Sequence, residues 1–176
     1  ISYAHIKNFE NINQIALAKS EIIKNIKDDG YLILNRDDVF YNFHKKIALK
    51  RNLKILSFSL KNKSATTNLD SISKEKSKYK ISININKKKK HFYSNSFFEN
   101  DLKNLLTSIT IISIFRDIHK LDKNIFYDHK ATNGRGDITK VRLFKKKFYL
   151  VDESYNSNPL SLKSALKNFD MIKVDN

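Results

Sequence analysis

Cysteine and tryptophan are absent from the 176 residues, methionine and proline occur once each, and glycine occurs three times. Without cysteine, neither a disulfide framework nor a thiolate metal site can form, which suits a reducing compartment. Long apolar runs are missing too. The longest, Ile109-Thr110-Ile111-Ile112-Ser113-Ile114-Phe115, is far short of the ~20 residues that a membrane helix needs. The stretch from Ile1 to Ser20 has no basic start followed by a continuous apolar block, so no secretory signal is read there. These absences predict a cytoplasmic chain, and 40% apolar content is enough to bury a core.

Acidic residues are also in short supply. The 34 Lys and Arg against 18 Asp and Glu leave a formal charge of +16, and a basic surface of that size attracts phosphate backbones. The detail points elsewhere. Only Arg36, Arg51, Arg116, Arg135 and Arg142 carry a guanidinium, the group favoured for bidentate phosphate and base recognition. The lysines are scattered among Ile, Asn and Ser, as an AT-rich coding sequence would place them at solvated positions. The densest run, Lys87 to Lys90, reads as a hairpin tip. A basic nucleic-acid-binding module remains the alternative, and a steep fall of log K with log[salt] would mark it.

Periodicity gives the organisation. Phe9 to Ile26 predicts an amphipathic helix with Ile12, Ile15, Ala16, Ile22, Ile23 and Ile26 on or near one face, and Lys19 falls on that apolar side. Tyr31 to Leu34 and Leu53 to Phe58 are near-continuous apolar strands, with a helix from about Val39 to Lys50 between them, capped by Asp37 or Asp38. This β-α-β order predicts a mostly parallel sheet. Ser64 to Lys78 reads as loop or weak strand. Ile81, Ile83 and Ile85 alternate with polar residues and, with His91 to Tyr93, predict an antiparallel hairpin. Leu102 to Ile118 is the strongest helix, with Leu102, Leu105, Leu106, Ile109, Ile112 and Phe115 as its buried stripe. A short helical piece is expected from Asn124 to His129. Two of the three glycines fall in Ala131 to Gly136, where a hinge is placed. Strands from Val141 to Phe144 and Phe148 to Val151, then a helix opened by Asn158 and Pro159, begin a second α/β unit.

The chemistry is densest between the last strand and that helix, in Asp152-Glu153-Ser154-Tyr155-Asn156-Ser157-Asn158-Pro159. In open α/β sheets, ligands sit at the carboxyl ends of strands, where this run would lie. An ordinary strand-to-helix turn would use the same residue types. Seventeen residues before Asp152 stands Arg135, between Gly134 and Gly136. Upstream are Ala4-His5, Ala18-Lys19-Ser20-Glu21-Ile22 and Asn35-Arg36-Asp37-Asp38. Taken in chain order the five segments resemble the Mur ligases of peptidoglycan synthesis, the last two of them at the family's separation. The Tyr-Asn-x-Asn-Pro run resembles the branch that joins D-alanyl-D-alanine to a UDP-N-acetylmuramoyl tripeptide. A sister ligase for a single amino acid is the runner-up.

The resemblance implies an α/β chain holding the C-terminal part of a central ATPase domain, residues 1–131, followed by the start of a Rossmann-like ligase domain, residues 132–176. It implies ATP and Mg²⁺ as cofactors, the tripeptide nucleotide and D-Ala-D-Ala as partners, no nucleic acid, and a monomer. No G-x-x-x-x-G-K-[ST] loop is present. With its first residue Ile1, the chain is therefore expected to be an internal fragment, inactive by itself. Lys19 matches a lysine that becomes a carbamate and binds metal; desolvation would favour the neutral amine this needs, whereas a snorkelling lysine is the plain alternative. His5 matches a Mg²⁺ ligand. Asn35 matches an adenine contact, Arg135 a hinge arginine reaching ATP phosphates, and Glu153 a ribose-binding acid with Asp152 as its substitute. Asn156 and Asn158 are expected near the incoming dipeptide. One departure stands out: the family's Gly-x-His-x-x-x-Asn is Phe98 to Asn104 here, and only the Asn is kept.

Overall fold

The computed structural model describes residues 9–128, 134, 136–155 and 159–171. They form two compact units, one on each side of residues 129–133. In the first unit, α1 (Ile12–Lys24) starts where the Asn11 side chain accepts from the N–H of Gln14 at 3.1 Å. The chain then runs through β1 (Tyr31–Asn35), α2 (Tyr41–Lys50), β2 (Lys54–Ser59), β3 (Thr67–Glu75), β4 (Lys78–Ile85), β5 (Lys88–Ser94) and α3 (Glu99–Phe115). The five strands form one sheet in chain order. β1 pairs with β2 and β2 with β3 in parallel, whereas β3–β4 and β4–β5 are antiparallel. The mixed α/β fold read from the sequence is therefore present, and the hairpin gains β3 as a third strand.

Both faces of the parallel strands are covered, which explains why β1 and β2 are apolar without alternation. Ile33 and Phe58 pack with Ile81, Ile83, Ile85, Phe92 and the α3 residues Leu102, Leu105, Leu106 and Ile109. Leu32 and Ile55 turn the other way, to Ile23, Ala48 and Leu53 beside α1 and α2. Each fully buried side chain of this size contributes about 1.5–3 kcal/mol. The α3 stripe ends sooner than its periodicity suggests. Thr110 is buried, whereas Phe115 is 78% exposed.

Two polar ties fix α1 against α2. The ring of buried His44 sets Nε2 3.1 Å from the Ala16 carbonyl and Nδ1 3.0 Å from that of Phe40. Arg51 donates to the carbonyls of Ile23, Lys24 and Ile26, the last turn of α1 and its exit, where carbonyls lack helical partners. The β4–β5 tip is Asn86-Lys87, both at positive φ as a two-residue hairpin turn demands. Lys90 is not part of a solvated tip: its ammonium donates to the carbonyls of His119 and Leu121. Residues 118–120 form a 3-10 turn, and the helical piece expected from Asn124 is a run of turns as far as Asp128.

His91 sits on the outward side of β5. Burial, followed by the charges of Lys80 and Lys123, holds its imidazole below the ordinary 6.5; Glu75 pulls the other way, and Lys90 adds a smaller push down. The unfolded chain thus takes up this proton first as pH falls. The stability that neutral His91 contributes is whole above about 6.5 and is lost progressively below it. We expect His91→Gln to flatten the dependence of stability on pH across that window, as chemical denaturation at about pH 7.5 and about pH 5.5 would show.

In the second unit, β6 (Asp137–Leu143) and β7 (Lys146–Asp152) form an antiparallel hairpin, and α4 (Pro159–Asp170) follows. Proline stands at the first position of α4, where its missing N–H costs nothing. Leu143, Phe148, Leu150, Leu162, Leu166 and Phe169 of this unit are all exposed.

Candidate functional site

Three described segments carry the chemistry predicted from the sequence. The first is the middle of α1. Ile15, Lys19 and Ile23 are spaced by four and share one helix row. Ile15 is 2% and Ile23 1% exposed, yet Lys19 between them is exposed. The desolvation expected at Lys19 is not supplied by the described residues. Its long stem carries the amine out of the packed row, as lysine stems do.

The second segment is the carboxyl end of β1 and β2, the edge where open α/β sheets hold ligands. The Arg36 N–H donates to the Phe58 carbonyl at 2.8 Å and extends the ladder by one step. Asn35 then turns the chain: its side-chain oxygen accepts from the Asp37 N–H at 2.9 Å. The Asp37 carboxylate reaches across to the loop after β2. One oxygen accepts from the Ser59 hydroxyl at 2.5 Å, the other from the Leu60 N–H at 2.7 Å. Ser59, fully buried, accepts in turn from the N–H groups of Lys61 and Asn62 at 3.0 and 2.6 Å. Neither acid caps α2 as its first helical neighbour, because Phe40 occupies the cap position. Asp38 instead accepts from the Phe40 N–H at 2.8 Å in a turn just ahead of it.

The third segment lies in the second unit, where the glycine pair meets the end of β7. Gly136 donates its N–H to the Asp152 carbonyl at 2.7 Å, and the Gly134 carbonyl accepts from the Tyr155 N–H at 3.0 Å. Gly134 and Gly136 have φ of +76° and +86°, and a Cβ on Gly136 would stand 3.1 Å from a carboxylate oxygen of Glu153. A side chain there would strain the backbone and crowd the acid. Asp152 accepts from the Ser154 N–H at 3.0 Å. Hydrogen bonds from the Ser154 hydroxyl and N–H hold its carboxyl below the usual carboxylate range. Gly134, Gly136, Asp152 and Glu153, distant in sequence, thus share one loop cluster.

His5, Arg135, Asn156 and Asn158 lie outside the described residues. Among the described residues, no group of three His, Asp or Glu side chains is placed to hold a metal ion. The sequence reading missed the Asp37–Ser59 clasp. Its sequence signal was a serine closing an apolar strand, paired with the second acid-or-amide position after the preceding strand.

Residues 1–112 match the Mur ligase middle domain. The chain belongs to the Mur ligase family. It is 28% identical over 187 aligned residues to the UDP-N-acetylmuramoyl-tripeptide--D-alanyl-D-alanine ligase of Rickettsia prowazekii (strain Madrid E), a match covering 100% of this chain and 38% of that protein. A crystal structure of MurF from Acinetobacter baumannii superposes with a TM-score of 0.80 at 19% identity, over 98% of this chain and 36% of that one. The MurF ligase of Thermotoga maritima in complex with ADP gives 0.71 at 17% identity, over 90% and 35%. This Mur ligase chain therefore spans little more than a third of the length of these relatives, and all three comparisons include its α/β core.

Proposed function

We propose that the chain is part of an ATP-dependent ligase that joins D-alanyl-D-alanine to a UDP-N-acetylmuramoyl tripeptide in the cytoplasm, working as a monomer. The observation that carries this reading is the Tyr155-Asn156-Ser157-Asn158-Pro159 run at the exit of β7, together with the relative of that printed activity. In the reaction, a carboxylate oxygen of the tripeptide attacks the γ-phosphorus of ATP, giving an acyl phosphate and ADP. The dipeptide amine then attacks the acyl carbon, loses a proton, and phosphate leaves with the former carboxylate oxygen.

On this reading, residues 1–131 belong to the central ATPase domain and residues 132–176 open the C-terminal ligase domain. Asn35 meets the adenine ring, and Glu153, seconded by Asp152, meets the ribose. Arg135 reaches the phosphates as a permanently charged forked donor. Asn156 and Asn158 face the dipeptide. Mg²⁺, when bound, neutralises phosphate charge and takes hard oxygen donors. Lys19 as a carbamate offers one such donor, with His5 as the second candidate ligand. The described residues complete no metal site, and no step above runs through the ion. The phosphate-cradling loop is not encoded in these residues, so the reaction is that of the longer ligase in which this segment sits.

The test is ADP release by that ligase. Release is expected only when the tripeptide nucleotide and D-Ala-D-Ala are both supplied. Release with a single amino acid in place of the dipeptide would move the chain to a sister activity.

A further inference from the structure

The outward face of the β4–β5 ladder gathers positive charge around one tyrosine. Alternation places Lys78, Lys80, His91 and Tyr93 on the side opposite Ile81, Ile83 and Phe92. Tyr93 stands across from Lys80 in the ladder and is buried. The Lys78 ammonium lies over its ring, 3.5 Å from the centroid. The Lys123 ammonium reaches the same ring at 5.6 Å, and the Lys123 carbonyl accepts from the Tyr93 N–H at 2.7 Å, which fixes that lysine beside β5. The His91 ring meets Tyr93 edge-on at 5.7 Å. Acid is scarce here. Glu75 stands 3.6 Å from the Lys80 ammonium, and the Asp122 carboxylate is taken up by the backbone N–H and side-chain amide of Asn124. Among the described residues, neither Lys78 nor Lys123 has a carboxylate partner. Lys90 is already held by the carbonyls of His119 and Leu121. Burial, then the charges of Lys80 and Lys123, hold the His91 imidazole below its ordinary value. The positive field that disfavours its proton attracts an anion.

We propose that Lys78, Lys80 and Lys123, gathered around His91 and Tyr93, form a binding site for a phosphate dianion, either inorganic phosphate or the terminal phosphate of a nucleotide. Three ammonium groups suit a compact multivalent anion, because each is a point charge with rotatable donors. The His91 imidazole becomes a further donor to the anion when it takes up a proton. Anion affinity and the charge of His91 are then coupled, and the coupling is reciprocal. The site stands apart from the ligase reading, and neither needs the other.

The probe is sulfate, which stays a dianion through the range in which histidine titrates, so that only the protein changes charge. The His91 ring-proton signals of the whole chain are followed by NMR against pH, in sulfate and in chloride of equal ionic strength. Sulfate is expected to raise the His91 midpoint by about half a pH unit over chloride, which by linkage means about threefold tighter sulfate binding to the protonated form. Lys78→Gln combined with Lys123→Gln should weaken sulfate by about tenfold and should lift the His91 midpoint in chloride. Lys45→Gln combined with Lys46→Gln, on α2, should change neither. Inorganic phosphate and ADP should displace sulfate at His91. Displacement by ADP at the lower concentration assigns the site to a nucleotide's phosphate, and displacement by inorganic phosphate at the lower concentration assigns it to the free anion. Equal midpoints in sulfate and chloride would overturn the proposal. So would full sulfate affinity in the Lys78 and Lys123 variant, or displacement by neither competitor.

Discussion

Replacing Lys19 with Ala is expected to lower turnover of the complete ligase by on the order of 10²–10³-fold, the scale on which enzymes lose a placed electrostatic group. Lys19 is exposed between buried Ile15 and Ile23, so a carbamate there would owe nothing to desolvation by the described residues. On the proposed function, the Lys19 ammonium first loses a proton to solvent, the amine then attacks CO₂ and a second proton leaves, so that a cation becomes a carbamate anion with two hard oxygens. Acetate or another short carboxylic acid should then restore part of the lost activity in Lys19→Ala. ¹³C NMR after addition of labelled bicarbonate gives an independent reading, with a carbamate carbon in the wild type that is missing in the variant. Unchanged turnover would remove Lys19 from the site. Loss of turnover without rescue and without the carbon signal would leave it a role as a cation.

Phe92→Ala should destabilise the first unit by about 3–5 kcal/mol, a large part of the ~5–15 kcal/mol that holds a domain together. Phe92 is fully buried, and its ring meets Phe126 edge-on at 5.4 Å between centroids. It faces Ile81 across the β4–β5 ladder and packs in the cluster that α3 covers. The antiparallel strands are thereby part of the core, and deleting the ring leaves a cavity beneath α3. Phe115→Ala is the control. Its 78% exposure predicts a change within about 0.5 kcal/mol. Denaturant midpoints of the two variants would separate these cases, and a large loss from Phe115→Ala would mean that α3 packs on its other face.

The same two phenylalanines show how far the sequence could be read. Alternation of Ile81, Ile83 and Ile85 identifies their shared face, because side chains on a strand repeat every two residues. Phe115 misled because it continues the periodic stripe to the last residue of α3, where the side chain is exposed. β3 was legible only as a weak strand. Its residues from Asn68 to Glu75 are mostly polar; beyond Leu69 the side chains are largely exposed, and backbone pairing along β4 holds that part of the strand.

The candidate site divides in the same way. Asn35, Lys19, the two glycines and Asp152–Glu153 stood out through the resemblance of their segments to the Mur ligases. The clasp of Asp37 on Ser59 did not, since it joins residues separated by 22 positions, and only the parallel register of β1 on β2 brings them together. The exposure of Lys19 was equally hidden, because periodicity places a Cα on a face but does not say where a four-carbon stem ends.

The most direct measurement of the central claim follows oxygen rather than rate. The terminal carboxylate of the tripeptide nucleotide is labelled with ¹⁸O and given to the complete ligase with ATP and D-Ala-D-Ala. Passage through an acyl phosphate predicts one labelled oxygen in the released inorganic phosphate for each amide bond formed. Amide product accompanied by unlabelled phosphate would contradict the account.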